Sequence, residues 1–365
     1  MTKVLLGTTK GVFILSDKGG DRWNFSGPHC TNWPVNHVVG EGDNLWACGG
    51  NAFWGAAVLR STDGGENWTF KRLSGGEIDG WLEKEPELAE MFGLPKNEVL
   101  PFNGQIDALW SLKRVGGKLY CGAKPAMLFV SDDDGETWEK VNGLTDQEGA
   151  ENWQPGGAGL TLHTILADPA TPEKLWVGIS SAGVFATDDG GKTWERRNRK
   201  SNEDDKEVGL CVHNMTRAST DGDLLYQQNH HGVWRSYDGG RSWQSINEGL
   251  SSDFGFPIAV SPIDPQTIFV LPLNGDTRGR FPPDASAAVY VSKDGGDSWT
   301  KTQNGLPTEN CYFTVLRQAM ATDAKGGMYF GTNSGSVYMT RDDGESYEEI
   351  AQHLPTVLSV EVLNG

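Results

Sequence analysis

Four of the chain's seven histidines are placed so that their side chains could meet and do acid–base or metal chemistry. Three of them precede the Asp of a recurring turn by nearly equal distances: His37 lies 26 residues before Asp63, His163 lies 26 before Asp189, and His213 lies 25 before Asp238. This spacing predicts equivalent positions in a repeated unit. His230 ends a predicted strand at the same face, so we expect all four imidazoles at one place.

Imidazoles that meet at one place support more than one kind of chemistry. Neutral imidazole nitrogens bind Zn, Fe, Ni or Cu, and three protein ligands with an open position form a hydrolytic or lyase metal site. Without a metal, one histidine can act as base and another as acid, because the ordinary pKa lies near about 6.5. A third interpretation is a water-filled channel whose histidines only form hydrogen bonds. The sequence leaves all three open for His37, His163, His213 and His230.

An eight-residue turn, Ser/Thr-x-Asp-x-Gly-x-Ser/Thr-Trp, recurs along the chain and indicates which elements position the histidines. Its intact copies are Ser131 to Trp138, Thr187 to Trp194, Ser236 to Trp243 and Ser292 to Trp299, and looser copies run from Ser16 to Trp23, from Ser61 to Trp68 and from Thr340 to Tyr347. A period of about fifty residues with short β-branched and aromatic runs is typical of a propeller. We therefore predict an all-β, seven-bladed propeller forming a single domain over residues 1–365, with each turn acting as a hydrogen-bonded staple between two strands.

The two ends of the chain predict how the ring closes. The N-terminal run Val4 to Thr8 reads as the second strand of a blade, and the C-terminal run Val357 to Val362 has no blade of its own. We expect the C-terminal strand to complete the first blade and leave no open sheet edge.

The innermost strands of a propeller line a central channel, and several further residues are expected at its mouth. A fourth position equivalent to the histidines is Asp107 by residue count, or Ser111 if the following turn is short. Four long connections fall on the same face: residues 74–104, 142–160, 197–209 and 274–286. Candidates for substrate contact are Glu151, Trp153, Gln154, Arg278, Arg280, Asp107 and Arg317, the last of which could instead pair with Glu361.

Composition limits the partners and the compartment. The formal charge of -18 disfavours nucleic acid and anionic membrane surfaces and leaves a small molecule as the expected ligand. The five widely separated cysteines indicate reduced thiols and a cytoplasmic location, and no apolar run reaches the roughly 20 residues that span a bilayer. The oligomeric state stays open.

The recurring turns, together with residues 175–178 and 183–191, resemble those of the sialidase-like Asp-box (BNR) repeat propellers. Segments 153–156, 162–165, 227–230 and 252–255 resemble a bacterial cytoplasmic, single-domain group within that family, whose members are often labelled sialidases. A true sialidase resembles a six-bladed propeller with an Arg-Ile-Pro motif and three substrate-binding arginines. This chain lacks Arg-Ile-Pro, and its early arginines, Arg22 and Arg60, lie beside or within box turns, so sialidase activity is not expected.

These observations favour an enzyme over a binding protein. We expect a hydrolase or lyase that acts at the channel mouth on a small polar metabolite, carbohydrate-like or carboxylate-bearing. The alternative is a non-catalytic binding or assembly scaffold, in which the histidines have no chemical role.

Overall fold

Seven four-stranded antiparallel sheets build the protein in a computed structural model that describes residues 2–19, 22–94, 99–201 and 207–364. Each sheet is one blade, so the predicted all-β, seven-bladed architecture is confirmed. Residues 20–21 of the first Asp box, and parts of the 74–104 and 197–209 connections, lie outside the described residues.

The strands follow one another from the channel outward in every blade except the first. The first blade contains β1 (Thr2–Thr8), β2 (Gly11–Asp17) and β3 (Trp23–His29), with β28 (Val357–Asn364) innermost. The second and third blades contain β4 (Val35–Glu41), β5 (Asn44–Asn51), β6 (Gly55–Ser61), β7 (Thr69–Ser74), β8 (Ala108–Val115), β9 (Lys118–Lys124), β10 (Leu128–Ser131) and β11 (Glu139–Lys140). The fourth and fifth contain β12 (Leu162–Asp168), β13 (Thr171–Ile179), β14 (Gly183–Thr187), β15 (Glu195–Arg196), β16 (Val212–Arg217), β17 (Leu225–Asn229), β18 (Gly232–Ser236) and β19 (Gln244–Ser245). The sixth and seventh contain β20 (Gly255–Val260), β21 (Ile268–Pro272), β22 (Val289–Ser292), β23 (Thr300–Thr302), β24 (Met320–Thr322), β25 (Met328–Gly331), β26 (Val337–Thr340) and β27 (Glu348–Ala351).

Short helices occur only in connections among the described residues. They are α1 (Glu77–Leu82), α2 (Leu88–Met91) and α3 (Asn142–Thr145), with single 3-10 turns at Ala150–Asn152, Asp276–Arg278 and Pro283–Ala285. None of the described helices is long and apolar enough to cross a membrane. All five cysteines are free thiols.

The ring closes through the C-terminal strand, as the sequence predicts. Strand β28 pairs antiparallel with β1, placing Val360 opposite Leu6 and Leu363 opposite Lys3. Val357 and Val360 are fully or almost fully buried, in the same hydrophobic cluster as Leu6. The closing strand therefore supplies both the last ladder of backbone hydrogen bonds and part of a core.

Removing residues 357–365 should destabilise the whole ring, because it exposes the edge of β1 and uncovers a hydrophobic cluster. Each buried valine contributes about 1.5–3 kcal/mol, and the lost strand pairing adds to that. We expect the midpoint of thermal unfolding to fall by roughly 10 °C or more. Circular dichroism melts of this truncation, compared with one that removes only residues 364 and 365, check the prediction; equal midpoints would contradict it.

Each Asp box is a closed set of side-chain to backbone hydrogen bonds. In the copy of the third blade, the Ser131 hydroxyl donates to Asp133 Oδ1 at 2.8 Å and accepts the Gly135 N–H at 2.8 Å. Asp133 also accepts the Thr137 N–H at 2.8 Å and the Thr137 hydroxyl at 2.6 Å. Gly135 has a φ of +98°, a left-handed conformation that a side chain would strain. The box Trp138 is buried and donates from Nε1 to the Gly135 carbonyl.

The boxes also join neighbouring blades. Trp46, on the second strand of the second blade, donates from Nε1 to the carbonyl of Asp134 in the next box at 2.9 Å. Trp176 makes the matching contact to the Gly239 carbonyl at 2.8 Å. The repeated turn therefore fixes the strand hairpin within a blade and its packing against the preceding blade.

Asp133 supports a stability prediction with a defined pH dependence. Hydrogen bonds from Thr137 and Ser131 lower its pKa from 3.8 to about 2. Because the folded pKa is depressed, this stabilisation is complete above pH 3.8 and is lost as the pH falls through about 2. Asp133→Asn should lower the free energy of unfolding at pH 7 by about 1 kcal/mol, a modest value because the carboxylate is exposed. Its stability should also change less between pH 4 and pH 2 than that of the wild type, as measured by urea unfolding.

Asp132→Asn is the matched control, because it removes the same charge from the same turn without breaking the box. Asp132 is an exposed residue that only faces Lys118 at 3.4 Å. If both variants showed the same loss and the same acid dependence, the box carboxylate would have no special role.

The inner strands carry a bulge near their starts, and this bulge corrects the expected equivalence of the histidines. The register shifts between Val35 and His37, between Leu109 and Ser111, between Leu162 and Thr164, and between Val212 and Asn214. The bulged residues are therefore Asn36, Trp110, His163 and His213. His37 lies one position further and corresponds to Ser111, not to His163 or His213.

The equal residue counts concealed this offset. The pairs His37–Cys48 and Thr164–Gly178 show that the first hairpin of the second blade is shorter than that of the fourth. The second hairpin of the second blade is longer by a similar amount, so the distance to the Asp box comes out the same. Asp107 lies before β8 and is exposed, so of the two residues that the sequence left open only Ser111 lies on the inner strand, where it matches His37. The residue that matches His163 and His213 in this blade is Trp110.

Candidate active site at the channel mouth

Polar side chains at the starts of the inner strands hydrogen-bond from blade to blade. Asn36 donates from Nδ2 to the Leu109 carbonyl at 2.8 Å, and the Ser111 hydroxyl donates to the Leu162 carbonyl at 2.9 Å. His163 and His213 make the same contact with imidazole N–H groups. His163 Nε2 donates to the Val212 carbonyl at 2.7 Å, and His213 Nδ1 donates to the Gly255 carbonyl at 2.6 Å. Both histidines thus join neighbouring blades.

The same surroundings hold both imidazoles neutral at pH 7. Burial, reinforced by the positive charge of Arg317, lowers the pKa of His213 to about 3 and that of His163 well below its ordinary value of 6.5. With its Nδ1 proton donated to Gly255, His213 keeps a free lone pair on Nε2. That nitrogen is able to accept a proton or bind a metal.

Cys211, His213 and His230 bring three potential ligand atoms within 4.8 Å of one another. Cys211 immediately precedes β16, His213 lies within it, and His230 follows β17, so the antiparallel pairing of these strands places all three at one end of the fifth blade. Sequence reasoning predicted the meeting of the two histidines and missed the thiol. The Cys-Val-His segment at 211–213 was the signal that could have revealed it.

Each group in the cluster has an outer partner. Asp276 Oδ2 lies 3.5 Å from His230 Nε2, and Ser180 Oγ lies 4.0 Å from Cys211 Sγ. His213 donates to a backbone carbonyl, as described above. Asp276 was also missed by sequence reasoning, because it comes from the long connection between β21 and β22, whose path no local pattern specifies.

Two cations and two aromatic rings border the cluster. The Arg317 guanidinium lies 4.9 Å above the centre of the Phe256 ring, and that of Arg280 lies 5.7 Å from it. The ring centres of Phe254 and Phe256 are 5.3 Å and 4.8 Å from that of His213. Burial lowers the pKa of Arg317 only to about 10, so it stays positively charged at pH 7.

Arg317 differs from Arg280 in its partners. Arg280 forms an ion pair with Asp276 at 2.5 Å. Across the described residues, Arg317 has no carboxylate within 4.0 Å, and its buried Nε atom has no hydrogen-bond partner. The predicted pairing of Arg317 with Glu361 is therefore wrong: Glu361 lies on β28 and lines the channel beside His37 and Lys113. Arg317 is a cation available to an anionic ligand.

Six residues predicted for the site stand apart from this cluster. His37 lines a cavity deeper in the channel, and Asp107 is exposed ahead of β8. Glu151 and Gln154 are exposed beside the 3-10 turn Ala150–Asn152, and Arg278 is exposed in its own turn. Trp153 packs against Phe185 with ring centres 5.1 Å apart, which uses its face for a structural contact. The structure therefore brings together His213, His230, Arg280 and Arg317, with His163 buried beside them.

Comparisons with known proteins place these observations in a wider group. A family model described as Sortilin, neurotensin receptor 3, matches residues 126–277. An oligoxyloglucan-reducing end-specific xyloglucanase of Emericella nidulans is 24% identical over 244 residues, which are 57% of this chain and 28% of that protein. A sialidase of Bacteroides fragilis is 24% identical over 272 residues, 67% of this chain and 47% of that protein. The photosystem II assembly lipoprotein Ycf48 of a Synechococcus strain is 24% identical over 289 residues, 78% of this chain and 67% of that protein.

The solved structure of the GH74 xyloglucanase from Xanthomonas campestris shares the fold. It superposes with a TM-score of 0.65 at 18% identity, over 96% of this chain and 52% of that one. The seven blades, the Asp boxes and the solved structure indicate the same fold. The chain is a seven-bladed Asp-box β-propeller. This Asp-box propeller spans 28% of the fungal xyloglucanase and 47% of the sialidase, so their activities do not transfer with the fold.

The role of His163 in joining two blades of the propeller predicts the effect of its replacement. His163→Ala should lower the free energy of unfolding by about 1–3 kcal/mol, because the Val212 carbonyl loses its buried donor. His163→Asn should retain most of the stability, since Asn36 makes the equivalent bond in the second blade. Urea unfolding at pH 7.5 measures both. Equal losses of stability in the two variants would show that the shape of the imidazole, and not its hydrogen-bond donor, determines the free energy of unfolding.

Proposed function

We propose that the propeller is a metal-dependent hydrolase or lyase whose centre is formed by Cys211, His213 and His230, and that its substrate is a small anionic, polar molecule. The three ligand atoms within 4.8 Å of one another carry the proposal. A thiolate and two imidazoles suit Zn²⁺ best among Zn, Fe, Ni and Cu, and three protein ligands leave a fourth position for water or substrate.

The outer partners of the cluster support a metal site. Ligating imidazoles in metalloproteins usually donate their second N–H to a carboxylate or a backbone carbonyl, which orients the ring. His213 does so through the Gly255 carbonyl, which leaves Nε2 for a metal. His230 faces Asp276 with Nε2, which leaves Nδ1 for a metal. A bound zinc would draw the three ligand atoms to metal–ligand distances of about 2.0–2.3 Å, and His230, which is one third exposed, is the residue at the surface of the cluster.

The substrate class follows from the charges around the cluster. Arg317 is partly buried, positively charged at pH 7 and without a carboxylate partner among the described residues, and it lies over Phe256 next to His213. A substrate carboxylate or phosphate would pair with this guanidinium. Arg280 is already neutralised by Asp276, so it contributes a weaker attraction. The Phe254 and Phe256 rings limit the access of water on one side of the site.

A metal bound here would supply a water molecule with a lowered pKa, the nucleophile of metal-assisted hydrolysis. The chain's own residues would do the rest. Arg317 would hold the anionic group of the substrate, Asp276 would keep the His230 ring oriented, and the bond to Gly255 would orient the His213 ring, which burial keeps neutral. We also propose that the protein works in the cytoplasm, because free thiols such as Cys211 persist in reducing compartments.

Metal content tests the proposal directly. Protein purified without a histidine tag should carry about one transition-metal ion per chain, measured by inductively coupled plasma mass spectrometry. Cys211→Ala and His213→Ala should each reduce zinc affinity by at least about tenfold, because two ligands hold zinc far less tightly than three.

His231→Ala is the matched control, since His231 is the exposed neighbour of His230 and lies outside the group of three ligands. It should keep the wild-type metal content. A wild-type protein that neither contains nor binds a transition metal would reject the metal site and leave metal-free catalysis by His213 and His230.

A binding or assembly scaffold is the second candidate function, and the similarity to Ycf48 favours it, since that protein is named for assembly of photosystem II. A scaffold requires neither a metal nor an anion site at the channel mouth. If the wild type lacks metal, and Arg317→Met and His213→Ala change neither ligand binding nor any catalytic activity, the scaffold becomes the better explanation.

A further inference from the structure

A second polar cavity lies deeper in the channel, and neither the mouth cluster nor its proposed chemistry uses it. It has a volume of about 290 Å³ and is lined by all seven innermost strands or their extensions. The lining residues come mostly from the later parts of those strands, whereas Cys211 and His213 stand at the start of theirs. The cavity therefore lies on the far side of the channel from the mouth.

A layer of hydrogen bonds across the axis separates the two spaces. Gln318 donates from Nε2 to the His163 carbonyl on the opposite side of the channel. The Thr164 hydroxyl donates to Asn214 Oδ1 at 3.0 Å, and Asn214 Nδ2 donates to the Arg317 carbonyl at 2.6 Å. These five residues link β12, β16 and the segment that leads into β24. They form a floor under the mouth and a roof over the deeper cavity.

Three polar side chains below this roof are only partly buried and face the cavity: His37, Lys113 and Glu361. His37 Nδ1 accepts the Leu112 N–H at 2.8 Å, so the ring proton is on Nε2 and is free to be donated. Burial and the charge of Lys113 lower the pKa of His37 to about 3, which keeps it neutral. Across the described residues, no carboxylate lies within 4.0 Å of the Lys113 ammonium.

Among these three side chains, Glu361 provides the hydrogen-bond acceptor. It lies on the closing strand opposite Leu5, and its carboxyl group is near enough to Lys113 to feel its charge without pairing with it. Burial nevertheless raises the pKa of Glu361. The cavity thus holds one unpaired cation, one neutral N–H donor and one carboxyl group, with apolar side chains such as Val39, Ile165 and Met320 between them.

We propose that this deeper cavity is a binding site for a small hydroxylated carboxylate, a molecule of the sugar-acid class. Its carboxylate would pair with Lys113 and accept the His37 Nε2–H, and its hydroxyl groups would hydrogen-bond to Glu361. The cavity volume is at the small end of ligand sites, which suits a metabolite of this size. A neutral sugar would leave the Lys113 ammonium unpaired in a low-dielectric space, and a phosphate dianion would be repelled by Glu361.

Gluconate and sorbitol test this class, because both are open-chain six-carbon polyols and they differ mainly in the carboxylate. At about 20 mM, gluconate should raise the thermal midpoint of the wild type by about 2 °C or more over sodium chloride at equal ionic strength, and sorbitol should not raise it more than sodium chloride does. The gluconate shift should disappear in Lys113→Met and persist in Lys113→Arg, which keeps the positive charge. Melts of the unliganded variants show that they fold.

Arg317→Met distinguishes this site from the mouth. A gluconate shift that survives in Arg317→Met and disappears in Lys113→Met supports the deeper site. A shift that survives in Lys113→Met and disappears in Arg317→Met assigns binding to the mouth and overturns the inference. No shift in the wild type also overturns it. Neither result bears on the metal content of the Cys211 cluster, so the two proposals fail separately.

Discussion

A side-chain hydrogen bond from one inner strand to a backbone carbonyl of the next is the contact on which the centre of this propeller depends. Asn36, Ser111, His163 and His213 each make it, and each spans one blade interface. The carbonyls involved are buried beside the axis, where an unsatisfied oxygen would cost about 1–3 kcal/mol. The bond therefore sets how the inner strands lie against each other, and with it the shape of the channel mouth and of the cavity below.

The same contact, where an imidazole makes it, leaves a second ring nitrogen for another partner. Asn36 and Ser111 use their side-chain donors in the interface, whereas imidazole has two nitrogens at opposite edges of its ring. His213 donates its Nδ1–H to the Gly255 carbonyl, so its Nε2 atom remains available beside Cys211 and His230. A structural bond thus fixes the tautomer and the direction of a reactive nitrogen. Burial then keeps that nitrogen unprotonated at neutral pH.

Charge is distributed unevenly along the axis. The chain as a whole carries a formal charge of -18. At the channel mouth, however, Arg317 has no carboxylate partner among the described residues, and in the deeper cavity Lys113 has none either. Between them the Gln318 and Asn214 bonds cross the channel. An acidic surface with partly buried cations beside its axis favours small anions that fit inside over large polyanions, whose charges would meet the surface first. This arrangement is consistent with a small-molecule ligand at either site.

The Asp boxes by themselves determined the number of blades, because their hydrogen bonds lie within eight residues and repeat at a readable period. The strand patterns at the two ends of the chain determined the closing strand. The offset of His37 could not be read in this way. Two hairpins of different length gave the same count to the box, and only the strand pairing showed the bulge. The addition of Cys211 and Asp276 to the site likewise depended on the path of loops. Periodic local bonds are encoded in adjacent residues, whereas register and loop path arise from packing between residues far apart in the chain.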